Sequence, residues 1–524
     1  IGTATAPSLS TTAGPLDTPA SKDLPWWNDA VFYEIFVRSF RDSDGDGIGD
    51  FNGITKKLEY LKSLGISGIW LMPIHPSPSY HGYDVTDYYE VNPEYGTMED
   101  FKRLLDEAHN RDIRIIIDLV LNHSSSQHPW FESAVADEQS PYRDWYIWSE
   151  SDPGYNGPWG QRVWHPSTTG YYYGLFVDFM PDLNYGNPAV TEEMEKITTF
   201  WLTDVGVDGF RLDAAKHLIE DDVNQENTSA THEWFKDFRP FYKSLNPDAL
   251  AVGEVAGADQ GVMASYTQGD QLDLTFDFGQ AAAILQAAKS GNAQTIKASM
   301  KLTYKLVPDL QYATFITNHD QNRVMSELGG DPGRAKVAAS LLLTTPGVPF
   351  IYYGEEIGMS GVKPDELIRT PMQWSGEEGA GFTDGTPWEA INADYPSLNV
   401  AAHDGDSSSL LEHYRMLIRL RNEHESLRTG EIYWATSSTD QLAAYLRSSP
   451  SENIFILINL STEPVSGYEL KLNSGPLTGT HQAKSLLEGS LLVDLAANDT
   501  GGFDAYTPLS ELPPYSIFVI QLIK

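Results

Sequence analysis

From Ala30 onward the chain alternates short apolar runs with stretches of helical period. The runs 30–40 (AVFYEIFVRSF), 67–74 (SGIWLMPI) and 113–123 (IRIIIDLVLNH) are rich in aromatic and β-branched residues and predict strands. Between them, Ile54, Leu58 and Leu61 share one helical face ahead of a capping Gly65, and 98–112 reads as a second helix. The rhythm breaks over 124–185, a stretch rich in Trp, Tyr, Pro, Gly and Ser that predicts an irregular insertion. It resumes with a helix over VTEEMEKITTFWLTDVG and a fourth strand at 209–215 (GFRLDAA). Four more strands follow at 249–255, 272–278, 312–320 and 348–358.

Eight strands separated by helices, with polar residues gathered at the strand C-terminal ends, predict a (β/α)8 TIM barrel of the α/β class. A doubly wound open sheet is the alternative, but no glycine-rich nucleotide fingerprint follows the first strand. Ser409 and Glu412 predict a capping box for the last barrel helix, whose apolar face carries Leu410, Tyr414 and Leu417. Beyond about residue 430 the period becomes two, which predicts a C-terminal antiparallel β-sandwich. The expected divisions are a Ser/Thr/Pro-rich leader over 1–22, the barrel over 23–123 and 186–429, an inserted domain over 124–185, and the sandwich over 430–524.

Composition narrows the partners. With 73 acidic against 35 basic residues the net charge is −38, a field that repels nucleic acid and anionic membranes and suits a neutral substrate or bound cations. No stretch approaches the roughly 20 apolar residues of a spanning helix; the longest candidate, 338–353, is broken by Pro346, Gly347 and Pro349. Cysteine is absent, which removes disulfides, thiol catalysis and thiolate metal sites. A flexible polar leader ahead of an acidic fold favours an exported protein, here expected to act as a monomer.

The strand ends carry the candidate chemistry. The third supplies Asp118, Asn122 and His123; the fourth Arg211 and Asp213, with Lys216 and His217 beyond; the fifth Glu254; the seventh His319 and Asp320. A barrel brings these ends to one face. Alternate residues of an extended chain share a side, so Arg211 faces the same way as Asp213 and favours its ionised form. Glu254, between Val252 and Val255, is expected to hold a proton. One charged and one protonated carboxyl about 5 Å apart can cleave a glycosidic bond with retention.

The ordered set DLVLNH (118–123), GFRLDAAKH (209–217), VGEV (252–255) and TNHD (317–320) resembles the four signature regions of the α-amylase family of glycoside hydrolases. GIWLMPI (68–74), MPDLN (180–184) and GVPFIYYGEEIG (347–358) resemble its accessory regions, so the resemblance covers about 25–430. It implies Asp213 as nucleophile, Glu254 as acid/base and Asp320 as stabiliser of the distorted sugar, with Arg211 orienting Asp213. It further implies that His123 and His319 bind hydroxyls of that sugar, that Tyr83 stacks on its face, and that Asp118 buttresses Tyr83 and Arg211.

Within the family, MPDLN lies between the QPDLN of oligo-1,6-glucosidases and the MPKLN of neopullulanases. Ala214 and the Lys216-His217 pair imply α-1,4 chains, whereas Asp84 and Arg369, in GYDVTDY and RTPMQW, imply a wall at the non-reducing end. The implied function is retaining hydrolysis of α-1,4 bonds in starch-type glucans and malto-oligosaccharides. The alternatives are an exo-acting α-glucosidase, a trehalose-synthase-like transglycosylase, or a non-catalytic carbohydrate-binding relative.

Asp42, Asp44, Asp46 and Asp50 alternate over nine residues, and such a cluster suits a hard cation. The pattern matches the first half of an EF-hand loop, but the twelfth position is Gly53 rather than Glu. In the oligo-1,6-glucosidase subgroup a similar loop binds structural calcium, which implies Asp42, Asp44, Asp46, the Ile48 carbonyl and Asp50 as ligands; magnesium is the alternative ion. No acidic pattern marks a second calcium near Asn122.

Overall fold

The computed structural model describes residues 24–487 and 492–524, so the expected leader over 1–22 lies outside the described residues. Eight parallel strands close a barrel: β1 (Phe32–Ile35), β2 (Gly68–Leu71), β3 (Arg114–Leu119), β4 (Gly209–Leu212), β5 (Leu250–Gly253), β6 (Leu274–Phe276), β7 (Tyr312–Thr314) and β8 (Val348–Tyr352). Each pairs in parallel with its sequence neighbour, and β8 returns to β1.

Both faces of these strands are buried, which explains their nearly continuous apolar runs. Tyr33, Ile35, Ile69, Leu71, Ile115 and Ile117 pack outward on the helices. Phe32, Trp70, Ile116, Val252, Leu274 and Phe350 fill the interior. Since side chains alternate, the interior positions two residues further along are Glu34 after Phe32, Asp118 after Ile116 and Arg211 after Gly209. The barrel is therefore apolar below and charged at its C-terminal rim.

The strands are shorter than their apolar runs. The run at 312–320 pairs only as far as Thr314, although Phe315 and Ile316 remain buried, because the neighbouring β6 ends at Phe276. In the first run the chain leaves the ladder at Ile35 and forms a helical turn, Val37–Phe40. Helix Phe51–Leu64 starts on Asp50, which accepts from Gly53 N, and ends at Gly65 with φ 92°, a left-handed cap suited to glycine. At the last barrel helix, Leu410–Glu423, half of the predicted capping box forms. Ser409 accepts from Glu412 N, but the Glu412 carboxylate turns to Arg415 and Gly405 N.

The stretch predicted as irregular contains regular structure. Helix Pro129–Ala136 precedes a three-stranded antiparallel sheet of Trp148–Ser149, Trp164–Ser167 and Gly170–Tyr173. Its two ends are zipped together at the barrel rim, where Leu183 N donates to Asn122 O (2.8 Å) and Ser124 N to Pro181 O (3.2 Å). The MPDLN segment thus forms one side of this neck.

The C-terminal region is antiparallel, with a six-stranded sheet facing smaller two- and three-stranded sheets. Leu446, Phe455, Leu457, Leu470 and Phe503 fill the space between them. The opposite face of the large sheet, with Tyr445, Ile456 and Ile458, joins the barrel core, so Leu442–Ser448 is buried on both sides. Two buried arginines complete this seam. Arg421 donates to the carbonyls of Leu343, Thr345 and Gly347, and Arg447 to those of Thr344 and Gly430, satisfying the C-terminal end of helix Pro332–Thr344. Among the described residues no helix is long and apolar enough to cross a membrane.

Candidate active site

Arg211 is the hub of the charged rim. Buried to 1% exposure, it places Nη1 against Asp118 Oδ1 (2.8 Å) and Oδ2 (3.0 Å) and Asp213 Oδ1 (2.7 Å), and Nη2 against Glu254 Oε2 (2.6 Å). β3 and β4 set this geometry, because Asp118 and Arg211 are direct partners in the parallel register. Asp213 and Glu254 each stand one residue past the end of a strand, on adjacent strands, and one guanidinium holds both. Ala214 follows with φ 48°, a left-handed conformation that is strained for a residue with a Cβ. Burial pushes the Glu254 carboxyl up, and although Arg211 pulls it back, Asp213 and Asp320 add to the rise. The expected high value is therefore present, with burial and like charges as its cause rather than the valine flanks alone.

A second set of contacts is built on His319. Its Nε2 lies 2.7 Å from Tyr83 OH and 3.3 Å from Asp320 Oδ2, and its Nδ1 lies 2.5 Å from Glu34 Oε1. Tyr83 OH also donates to Asp118 Oδ2 (3.1 Å), which links this set to Arg211. Burial would lower His319, but Asp320 and Glu34 outweigh it and hold the imidazole above its ordinary value. Asp320 has a side chain 46% exposed at the cavity mouth. Burial of its surroundings works against ionisation, yet His319, Arg369 and Arg211 bring it down to about 2.

These groups open into a cavity of about 670 Å³. Asp213, Ala214, Glu254, Asp320, Tyr83, His123, Lys216, His217 and Arg369 all line it. His123 leaves Nε2 buried and unpartnered, and burial lowers its pKa, so it is neutral and free to meet a hydroxyl. His217 is likewise lowered by burial; its Nδ1 meets Gln225 O (2.8 Å) and its Nε2 is unpartnered. Lys216 Nζ is held by Glu226 Oε2 at 2.5 Å. Arg369 reaches Asp320 Oδ1 (2.9 Å) and Asp365 Oδ2 (3.1 Å) and donates through Nε to His319 O. Asp84 is different. It is buried, its Oδ1 accepts from Ser77 Oγ (2.6 Å) and Ser79 Oγ, and it does not line the cavity. This corrects the placement of Asp84 and Arg369 as a shared wall.

The inserted domain supplies the apolar side of the cavity through Trp159, Phe176, Phe179 and Met180, with Trp159 59% exposed at the rim. Such rings suit the apolar faces of pyranose sugars. These aromatics, together with Glu34, Glu226 and Asp365, escape the sequence reading. Glu34 carried a readable signal, an acid inside an apolar strand, the same one that marks Glu254.

Buried paired carboxyls, a histidine set between acids and an aromatic wall around one cavity fit the chemistry of the family resemblance. The family profile described as alpha amylase, catalytic domain, matches residues 34–430. The chain belongs to the α-amylase family. It is a glycoside hydrolase of that family, with its (β/α)8 barrel and C-terminal antiparallel domain. Alpha-amylase 3 of Dictyoglomus thermophilum is 44% identical over 443 residues, covering 83% of this chain and 86% of that protein. Probable oligo-1,6-glucosidase 2 of Bacillus subtilis is 35% identical, covering 84% and 91%. The crystal structure of alpha-amylase from H. orenii superposes with a TM-score of 0.82 at 41% identity, over 94% of this chain and 99% of that one. The chain is thus similar both to a protein named as an alpha-amylase and to one named as an oligo-1,6-glucosidase.

The acidic loop after the first strand gathers three of its four acids. Asp42, Asp44 and Asp50 bring carboxylate oxygens within 4.8 Å of one another. None of the three pairs with a cationic side chain among the described residues. Burial works against the charge on Asp42, but Thr383 Oγ1 and the amides of Gly45, Gly47 and Asp44 bring its pKa below the ordinary value. Uncompensated charge of this kind fits a hard cation. Asp46 stands outside this group, and its Oδ1 accepts from Ile48 N (2.8 Å).

Proposed function

We propose that the protein is a retaining hydrolase of α-1,4-glucosidic bonds in starch-type glucans and malto-oligosaccharides. The observation that carries this reading is the pair Asp213 and Glu254, held on the two terminal nitrogens of Arg211 inside one cavity. Asp213 attacks the anomeric carbon while Glu254, its proton retained by burial, protonates the departing oxygen. The glycosyl ester on Asp213 is then opened by a water that Glu254, now charged, deprotonates. Asp320, ionised beside His319 and Arg369, meets the positive charge that develops on the sugar. His123 and His319 bind hydroxyls of that sugar, Tyr83 covers its face, and Lys216 and His217 receive the leaving chain.

A second reading, exo-acting α-glucosidase or trehalose-synthase-like transglycosylase, is supported by Arg369, which lines the cavity and is held there by Asp320 and Asp365. Product analysis separates the two. On soluble starch, early products are expected to be mixed malto-oligosaccharides, with little activity on isomaltose or trehalose. Glucose as the sole early product, or trehalose formed from maltose, overturns the first reading in favour of the second.

We also propose that the loop holds a structural calcium ion through Asp42, Asp44 and Asp50, with magnesium as the competing ion. Bound only by the folded chain, the ion adds to stability by mass action. Excess chelator is expected to lower the Tm by several degrees, and added calcium to restore it more fully than magnesium. A Tm indifferent to chelator removes the ion.

A further inference from the structure

Glu34 is a buried acid of the rim that the mechanism above leaves unused. It points into the barrel from β1, is 2% exposed, and lies 2.5 Å from His319 Nδ1. Donor accounting fixes what this contact means. Tyr83 OH lies 2.7 Å from His319 Nε2 and 3.1 Å from Asp118 Oδ2, so it joins the ring to the carboxyl that Arg211 clasps. On that side Nε2 also meets Asp320 Oδ2 (3.3 Å), an ionised carboxylate that can only accept. His319 therefore donates from Nε2. On the other side Nδ1 faces a carboxylate, which also only accepts, so Nδ1 carries a proton as well.

We propose that Glu34 is a positioning residue: it holds His319 as a doubly protonated imidazolium, so that Nε2 presents a fixed N–H toward Asp320 and the reacting sugar. The inference rests on the proposed hydrolase reading only for its effect on rate. The groups that face His319 are Glu34 from β1, Tyr83 from the segment after β2, Asp118 from β3, Glu254 after β5, the adjacent Asp320, and Arg369 after β8. Trp70 meets it edge-on at 5.5 Å. Acids outnumber Arg369, and Glu34 is the only one of these that contacts Nδ1. Its effect is twofold. The carboxylate keeps the ring charged at neutral pH, and the bond to Nδ1 stops the ring from turning.

The test begins on the unmodified protein. With histidine labelled at the ring carbons and nitrogens, and His319 assigned by loss of its signal in His319→Asn, both ring nitrogens are expected to be protonated at pH 8. A neutral His319 at that pH overturns the proposal whatever the enzyme hydrolyses. In Glu34→Gln the amide oxygen still accepts from Nδ1 but its charge is gone. The His319 midpoint is expected to fall by about one pH unit or more, the scale of a lost neighbouring charge. The alkaline limb of kcat/KM is expected to move with it, and kcat/KM at pH 8 to fall about tenfold. An unchanged His319 midpoint in folded Glu34→Gln also overturns the proposal. If glucan hydrolysis proves absent while the midpoint shifts as expected, the hydrolase reading fails and the role of Glu34 stands.

Discussion

Asp213→Asn is expected to lower kcat on maltotetraose on the order of 10⁴-fold or more, the scale on which an enzyme responds to loss of its covalent nucleophile. The amide nitrogen and oxygen of asparagine cannot form the glycosyl ester, so no partial route through this position survives. The fold is expected to tolerate the change. Asparagine has nearly the same shape, and its carbonyl oxygen still accepts from Arg211 Nη1, the one hydrogen bond of the Asp213 side chain among the described residues. Activity by reducing-sugar release and Tm by scanning fluorimetry check both halves, with a near-inactive variant that melts close to the parent as the expected pair of results.

Arg211→Met is expected to damage both activity and stability. Arg211 serves Asp118, Asp213 and Glu254 at once, so its removal leaves three buried or half-buried carboxyls facing one another without a cation. Breaking a buried pair in this way costs about 3–5 kcal/mol. The sign with pH follows from linkage. Even with Arg211 present, burial raises Glu254 above its unfolded value, and losing the cation raises it further. A carboxyl raised in the folded state holds its proton there more tightly than in the unfolded chain. The cost is therefore absent below the unfolded value of about 4.3, grows as pH rises from there and is complete once pH passes the raised folded one. The Tm deficit of Arg211→Met is accordingly expected to be small near pH 4 and large near pH 8. An equal deficit at both pH values contradicts the account.

Much of this site was legible before the coordinates. Asp213 and Glu254 stand one residue past their strands and Asp320 in the segment after β7, on the rim where a barrel gathers polar residues, and all three line the cavity. The seam with the C-terminal sheet was less legible. Leu442–Ser448 is predicted only as a short strand of the sandwich, yet it is buried on both faces, with helix Glu425–Arg428 packed on it and helix Pro332–Thr344 on the neighbouring strand, and only tertiary packing decides this. The small sheet of the inserted domain was missed because none of its strands exceeds four residues, too short for a period of two to emerge from an aromatic-rich stretch. Asp84 was misplaced because a motif fixes where the chain passes, not which way a carboxylate turns, and two nearby serines hold this one. Glu34 carries the same signal as Glu254, an acid inside an apolar strand, but what it meets across the barrel, His319, shows only in three dimensions.

The central claim is that Asp213 carries the sugar covalently. The direct measurement is peptide mass spectrometry of enzyme quenched while turning over a 5-fluoro-α-glucosyl fluoride, whose ester intermediate is slow to hydrolyse. One fluoroglucosyl group on the peptide that contains Asp213, with none in Asp213→Asn, is the predicted result. A label on Glu254 or Asp320 instead, or turnover with no label and a β-configured first product, contradicts it.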